Sequence, residues 1–161
     1  MAHIKTAIQL ALQNKSAKPV RYAYEDTVEA SYASRTMMIS GVIIFMFIVY
    51  HLMHFTLGIT HPNIYSLHDP KGRHDVYSMV IFSFRDYWVC GSYILAMAVL
   101  CFHLSHGISS LFQSLGLNVG RREKKLKIAG ISIASLIFIG NSSIALASLF
   151  GFLSLPPWVG H

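Results

Sequence analysis

The sequence predicts an all-α integral membrane protein, a transmembrane helix bundle with three full spans and a partial N-terminal helix, forming one domain over residues 1–161. Composition gives the first reason: 53% of the residues are hydrophobic and 12% charged, where an ordinary soluble domain carries about 25% charged residues. Apolar runs give the second, because they reach the roughly 20 residues needed to cross the hydrocarbon core. Charge placement gives the third. The charges gather in blocks between the apolar runs, whereas a soluble domain of this length would spread them over its whole surface.

Each element follows from local pattern. Residues His3 to Asn14 carry an apolar stripe of Ile4, Ala7, Ile8, Ala11 and Leu12 at helical spacing. Asn14 and Lys15 should end this helix, with Pro19 as the breaker. Twelve residues are too few to span, so the segment is expected to be the C-terminal half of a spanning helix. Val20 to Arg35 reads as a polar and aromatic connector, with Glu25, Asp26 and Glu29 opening a short interfacial helix. The first full span is expected over residues 36–58, which hold no formal charge, and residues 59–86 form a long loop punctuated by Pro62, Pro70 and Gly72. The second span, 87–116, opens on Tyr87 and Trp88 as an aromatic belt would. The third, 128–155, is rich in Ser, Ala and Gly, which allow close helix approach, and Pro156, Pro157 and Trp158 close it.

Charge asymmetry sets the expected orientation. Lys15, Lys18, Arg21 and Arg35 flank one connector, and Arg121, Arg122, Lys124, Lys125 and Lys127 fill another. The intervening loop balances Lys71, Arg73 and Arg85 with Asp69, Asp75 and Asp86. The positive-inside rule therefore puts both basic connectors in the cytoplasm and the C-terminus outside. The net charge of +6 then reflects topology and contact with anionic lipid, so nucleic acid is not an expected partner. Nothing near Met1 resembles a secretory signal, since Lys5 and two glutamines interrupt the apolar stretch. Cys90 and Cys101 form no CxxC, and eleven residues along one helix separate them by about 16 Å, too far for a disulfide.

Ionisable side chains inside spans are usually functional. Five of the nine histidines, His3, His51, His54, His103 and His106, lie in apolar helix. Tyr50-His51-Leu52-Met53-His54 is echoed by Phe102-His103-Leu104-Ser105-His106, an aromatic-His-Leu-x-His pattern with each pair on one helix face. His3 lies about 16 Å from Asn14, His103 about 20 Å from Gly116 and His51 about 22 Å from Thr36, counted along the helix. Histidines on three helices thus reach the middle of a bilayer, where neutral imidazole can offer one nitrogen to iron while a carbonyl or hydroxyl holds the other. Bis-histidine haem ligation by facing helices fits this, with more than one pairing open. Histidines that merely bond neighbouring carbonyls are the plainer alternative. A membrane di-iron enzyme with histidine boxes is a weaker one, because there is no adjacent His-His pair and no intramembrane carboxylate. His61, His68 and His74 in the loop read as solvated residues.

At these residues the chain resembles the b-type cytochrome membrane anchor of succinate dehydrogenases and fumarate reductases, the five-helix, di-haem kind. The resemblance rests on HIKTAIQLALQNKSAKPVRY, on SGVIIFMFIVYHLMHFTLG, and above all on FHLSHGISSLFQSLGLN with its following basic turn. Gly107 and Gly116 stand four and thirteen residues after His103, and Gly41 ten before His51, as in the family. The resemblance implies that His3 and His103 ligate a haem b nearer the cytoplasm, and that His51 serves a second haem nearer the outer face. His54 and His106 match no ligand position and are expected to support or pack. The resemblance also implies flavoprotein and iron–sulfur partners on the cytoplasmic side, electron exchange with a membrane quinone (menaquinone being the one expected), and the cytoplasmic membrane as location. The chain begins just before His3, so the family's first helix and half of its second are expected to be absent. A fragment is the favoured explanation, ahead of a split anchor or a one-haem variant.

Overall fold

The computed structural model describes residues 2–17, 36–116 and 121–159; the side chains of Asn14, Lys15, Ala17, Arg121 and Arg122 lie outside that description. The expected interfacial helix with Glu25, Asp26 and Glu29 also falls outside it. In chain order the helices are α1 (Ala2–Ala17), α2 (Met37–His51), α3 (Pro62–Tyr65), α4 (Val76–Phe84), α5 (Tyr87–Ser114) and α6 (Arg121–Leu149). One turn of π-helix, Leu52–Thr56, extends α2. Apart from an isolated bridge between His68 and His74, the regular structure among the described residues is helical.

Three helices are long and apolar enough to cross a membrane: Met37–Thr56, Tyr87–Ser114 and Glu123–Leu149, with mean hydropathies of 2.0, 1.7 and 1.8. Their outward faces carry Met46, Leu95, Leu136 and Ile139, all well exposed. In water such faces would be costly, and hydrocarbon removes that cost. The chain is therefore an all-α membrane bundle.

Helix ends follow local chemistry. Asp86 caps α5, its carboxylate accepting from the Trp88 and Val89 amides at 2.8 and 3.0 Å. Asp75 caps α4 through the Ser78 amide at 3.0 Å. The first span ends where Gly58, at φ 64°, turns the chain into a left-handed conformation that side chains resist. Gly151, at φ 74°, does the same after α6, so that helix stops at Leu149 and not near Leu155. At its other end α6 begins at Arg121, earlier than the apolar run suggests, because Arg121–Lys127 are mostly good helix formers. The expected basic turn is a basic helical extension.

The segment between the first two spans is more structured than the expected loop. Its Pro, Gly and charges conceal α3 and the nine-residue α4, whose Ile81 and Phe84 are buried. Asp69 organises the turn ahead of α4, accepting the Lys71 and Arg73 amides at 2.9 Å and pairing with the Arg73 guanidinium at 2.7 Å. The Arg73 amide, then its side chain, hold the Asp69 carboxyl below the ordinary carboxylate range. α5 and α6 form the most extensive helix pair, with α2 against α5 and α4 against α6. The buried core, Phe84, Val89, Cys90, Tyr93 and Ala145, lies near the end of the spans that carries α4, here called the loop end. Both cysteines are free.

Candidate functional site

Toward the basic end of the spans, α2 meets α5 at His103. The Ser40 hydroxyl lies 2.9 Å from His103 Nδ1 and 3.0 Å from the Met37 carbonyl. A hydroxyl has one proton, and a carbonyl can only accept. Ser40 therefore donates to Met37 and accepts Nδ1–H from His103, which leaves a free lone pair on His103 Nε2. This is the tautomer in which a histidine can ligate a metal while its far nitrogen is tethered. Gly41 makes the approach possible: a Cβ there would come within 3.3 Å of His103 Cε1.

His3 stands on α1, exposed, and within electrostatic reach of His103, as is His106. His106 Nε2 lies 3.0 Å from the Ser110 hydroxyl one helical turn onward. The expected pair His3 and His103 is thus in one neighbourhood, while His106 is engaged within its own helix.

Toward the loop end, His51 and His54 take different positions. His54 sits in the π-turn, 2% exposed, with Nδ1 3.0 Å from the Tyr93 hydroxyl and Nε2 3.2 Å from the Ser83 hydroxyl. Both nitrogens are occupied, so His54 has none to offer a metal in this arrangement. It also stacks on Phe55, with centroids 4.1 Å apart, in keeping with the support and packing expected of it. His51 has no hydrogen-bond partner among the described residues; its ring lies between Phe55 at 5.5 Å and Tyr93 at 5.9 Å. His51 also lines a half-open cavity of about 540 Å³ bordered by α2, α4, α5 and α6.

The loop histidines are not alike. His68 and His74 are exposed, and His68 Nδ1–H donates to the Ser66 carbonyl at 2.7 Å. His61 departs from the expected solvated state, being half-buried with its ring 4.8 Å from that of His54. Among the described residues no three His, Cys, Asp or Glu side chains converge as a metal cluster; bis-histidine ligation of a haem needs two. Sequence reasoning missed Ser40 as a partner of His103. Its only signal was a hydroxyl beside Gly41 in an otherwise apolar run.

His103 thus has a tethered Nδ1 and an available Nε2, with His3 within electrostatic reach. For His51 an unbonded ring beside an apolar cavity is present. The family described as succinate dehydrogenase/fumarate reductase transmembrane subunit matches residues 11–140, a stretch that includes His51 and His103 and begins after His3. No curated protein and no solved structure matches the chain at a significant level. With that match spanning most of its length, the chain belongs to the family of transmembrane subunits of succinate dehydrogenase and fumarate reductase.

Proposed function

We propose that this chain is the haem b-binding membrane anchor of a succinate:quinone oxidoreductase, linking an iron–sulfur subunit to membrane quinone. The observation that carries the reading is the Ser40–His103 arrangement, which keeps Nδ1 protonated and Nε2 available. His103 and His3 would hold one haem, and His51 would help to hold a second. A haem, when bound, supplies reversible one-electron storage. The chain's own residues do the rest. Ser40 fixes the His103 ring, Gly41 leaves it room, and the apolar spans exclude water.

In this reading the chain performs no dicarboxylate chemistry; flavoprotein and iron–sulfur subunits do. Those partners would dock at the basic end, where Lys124, Lys125 and Lys127 are exposed on the α6 extension. The positive-inside rule supports a cytoplasmic basic end and an outside C-terminus, and the cytoplasmic membrane is the location proposed. Menaquinone is the quinone proposed. The test is the dithionite-reduced absorption spectrum of purified membranes, wild type beside His103→Ala. Wild type should show b-type bands and His103→Ala should lose or shift them. No bands at all would leave a haem-free structural anchor, and bands indifferent to the substitution would remove His103 as ligand.

A further inference from the structure

Two histidines of the connector between the first two spans, which the haem reading leaves without a role, are held opposite one another. His68 and His74 form an isolated antiparallel bridge. Its hydrogen bonds run on either side of the pair, from the Asp75 amide to the Leu67 carbonyl at 2.9 Å and from the Asp69 amide to the Arg73 carbonyl at 2.8 Å. His68 and His74 are therefore a non-hydrogen-bonded pair, the kind whose side chains stand closest and share one face of a ladder. Their ring centroids are 6.5 Å apart.

The turn that joins them fixes this spacing without help from a ligand. The Asp69 carboxylate accepts the Lys71 and Arg73 amides and pairs with the Arg73 guanidinium. The Gly72 amide returns to the Asp69 carbonyl at 2.9 Å, and Gly72 takes φ 74°. Pro70 locks a further φ. Asp69 and Arg73, the neighbours of the pair along the chain, thus engage each other and the turn.

Each ring has a nitrogen to give. His68 Nδ1–H donates to the Ser66 carbonyl at 2.7 Å, so its Nε2 keeps a lone pair. That is the tethered tautomer of a metal-bound histidine. The His74 ring has no hydrogen-bond partner among the described residues, and it rests 4.6 Å from the Tyr65 ring, itself held by the Thr56 carbonyl. Both histidines are exposed and lie outside the spans.

Imidazole nitrogens select zinc, copper or nickel, whereas calcium and magnesium require oxygen ligands. A Zn–N bond of about 2.1 Å puts two imidazole centroids on one ion roughly 5–6 Å apart, so a small turn of the free His74 ring closes the gap. No third His, Cys, Asp or Glu joins the pair among the described residues, and water would fill the other positions. The geometry points to His68 and His74 as a two-histidine site for a divalent transition-metal ion of the zinc type. His74 also lines the half-open cavity, so the ion would sit at its rim, at the opposite end of the spans from Lys124 and Lys125.

The experiment is calorimetric titration of ZnCl2 into the purified detergent-solubilised complex, prepared without a polyhistidine tag and stripped with chelator. Wild type is compared with His68→Gln, His74→Gln and the double variant. Wild type should bind one equivalent that either single substitution weakens on the order of a hundredfold, the low end of the gain from linking two binding groups. The double variant should lose little more, because either change already breaks the chelate. Metal-free thermal midpoints should agree, and zinc should raise the wild-type midpoint above those of the variants. Absence of zinc binding in wild type, or equal affinity in all four proteins, overturns the assignment. So does a loss confined to one of the two substitutions, which is adventitious binding by a single imidazole. If a variant changes the metal-free midpoint, the Cu2+ electron paramagnetic resonance spectrum of wild type decides: two equatorial nitrogens support the pair and one refutes it. No haem band enters these readouts, so the site stands or falls apart from the haem reading.

Discussion

Replacing Ser40 with alanine isolates the step from hydrogen bond to cofactor. Ser40 accepts Nδ1–H of His103 at 2.9 Å while donating to the Met37 carbonyl at 3.0 Å. Its loss frees the His103 ring to rotate and to exchange tautomers, and leaves Nδ1–H without a partner in a half-buried site. Outer partners of metal-bound histidines are typically worth 10–100-fold in metal affinity. That corresponds to about 1.4–2.7 kcal/mol at 1.4 kcal/mol per tenfold. The assay is the rate and extent of haem transfer from the purified complex to excess apomyoglobin. Ser40→Ala should release haem at least tenfold more readily. Ser114→Ala is the control, since its hydroxyl only donates within its own helix, to the Ser110 carbonyl at 2.9 Å. Gly41→Val should act in the same direction as Ser40→Ala by crowding His103 Cε1. If Ser40→Ala retains haem like wild type while His103→Ala loses it, the tether does not set the ligand and the tautomer argument fails.

Three further outcomes are expected. Gly58→Ala should destabilise the solubilised protein by about 2–3 kcal/mol in an SDS-titrated unfolding curve: a left-handed alanine costs ~1–2 kcal/mol and the displaced Tyr65 loses a bond worth ~1. The steric reason is that a Cβ at this position, φ 64°, would overlap the Tyr65 ring, whose hydroxyl donates to the Thr56 carbonyl at 3.0 Å; an unchanged midpoint would contradict it. The Ser78 amide is the main cause that holds Asp75 below the ordinary carboxylate range, and Trp158 Nε1–H donates to the same carboxylate at 3.1 Å. A carboxyl with a lowered folded pKa stabilises above its unfolded pKa and loses that contribution as pH falls through the folded value. Trp158 emission in a Trp88→Phe background should therefore shift on acidification below the ordinary carboxylate range, and Asp75→Asn should flatten the response; an equal response in both would exclude Asp75. Finally, Lys124→Glu with Lys125→Glu should reduce co-purification of the soluble subunits, most visibly at low salt, and undiminished recovery would leave those lysines a topological role alone.

Much of the bundle is legible in the sequence because lipid imposes a length and polarity rule on every span. The stretches over 36–58 and 87–116 announce themselves by uninterrupted apolarity. The helix α4 does not. Nine residues are too short for that rule, and the neighbouring Pro70, Gly72 and charges look like loop, although Asp75 and Ser78 already stand as cap and third residue. The early start of α6 is hidden for a related reason, since charge marks the edge of the bilayer and not the end of a helix. At the site, spacing singles out the histidines, but which nitrogen is free depends on Ser40, 63 residues away from His103. The difference between His51 and His54, three residues apart, depends on Tyr93 and Ser83 in two other helices. Such pairings are tertiary, and periodicity carries no trace of them.

Gly130 has a mechanical consequence. Its missing side chain lets α6 lie so close to α5 that a Cβ would stand 3.2 Å from the Ser105 carbonyl oxygen and 3.4 Å from Ile108. Small residues that bring backbones together in this way fix helices in register. Ser105 is two residues from His103, so the depth of that imidazole is keyed to α6 as a tooth is to a rack. Piston-like sliding by one turn, about 5.4 Å, would bring residues three or four positions away to that carbonyl, Leu126 or Lys127 in one direction and Ile133 or Ala134 in the other, each with a Cβ that Gly130 lacks. Sliding of α6 against α5 is therefore opposed at this point, and the depth of His103 follows the position of α6.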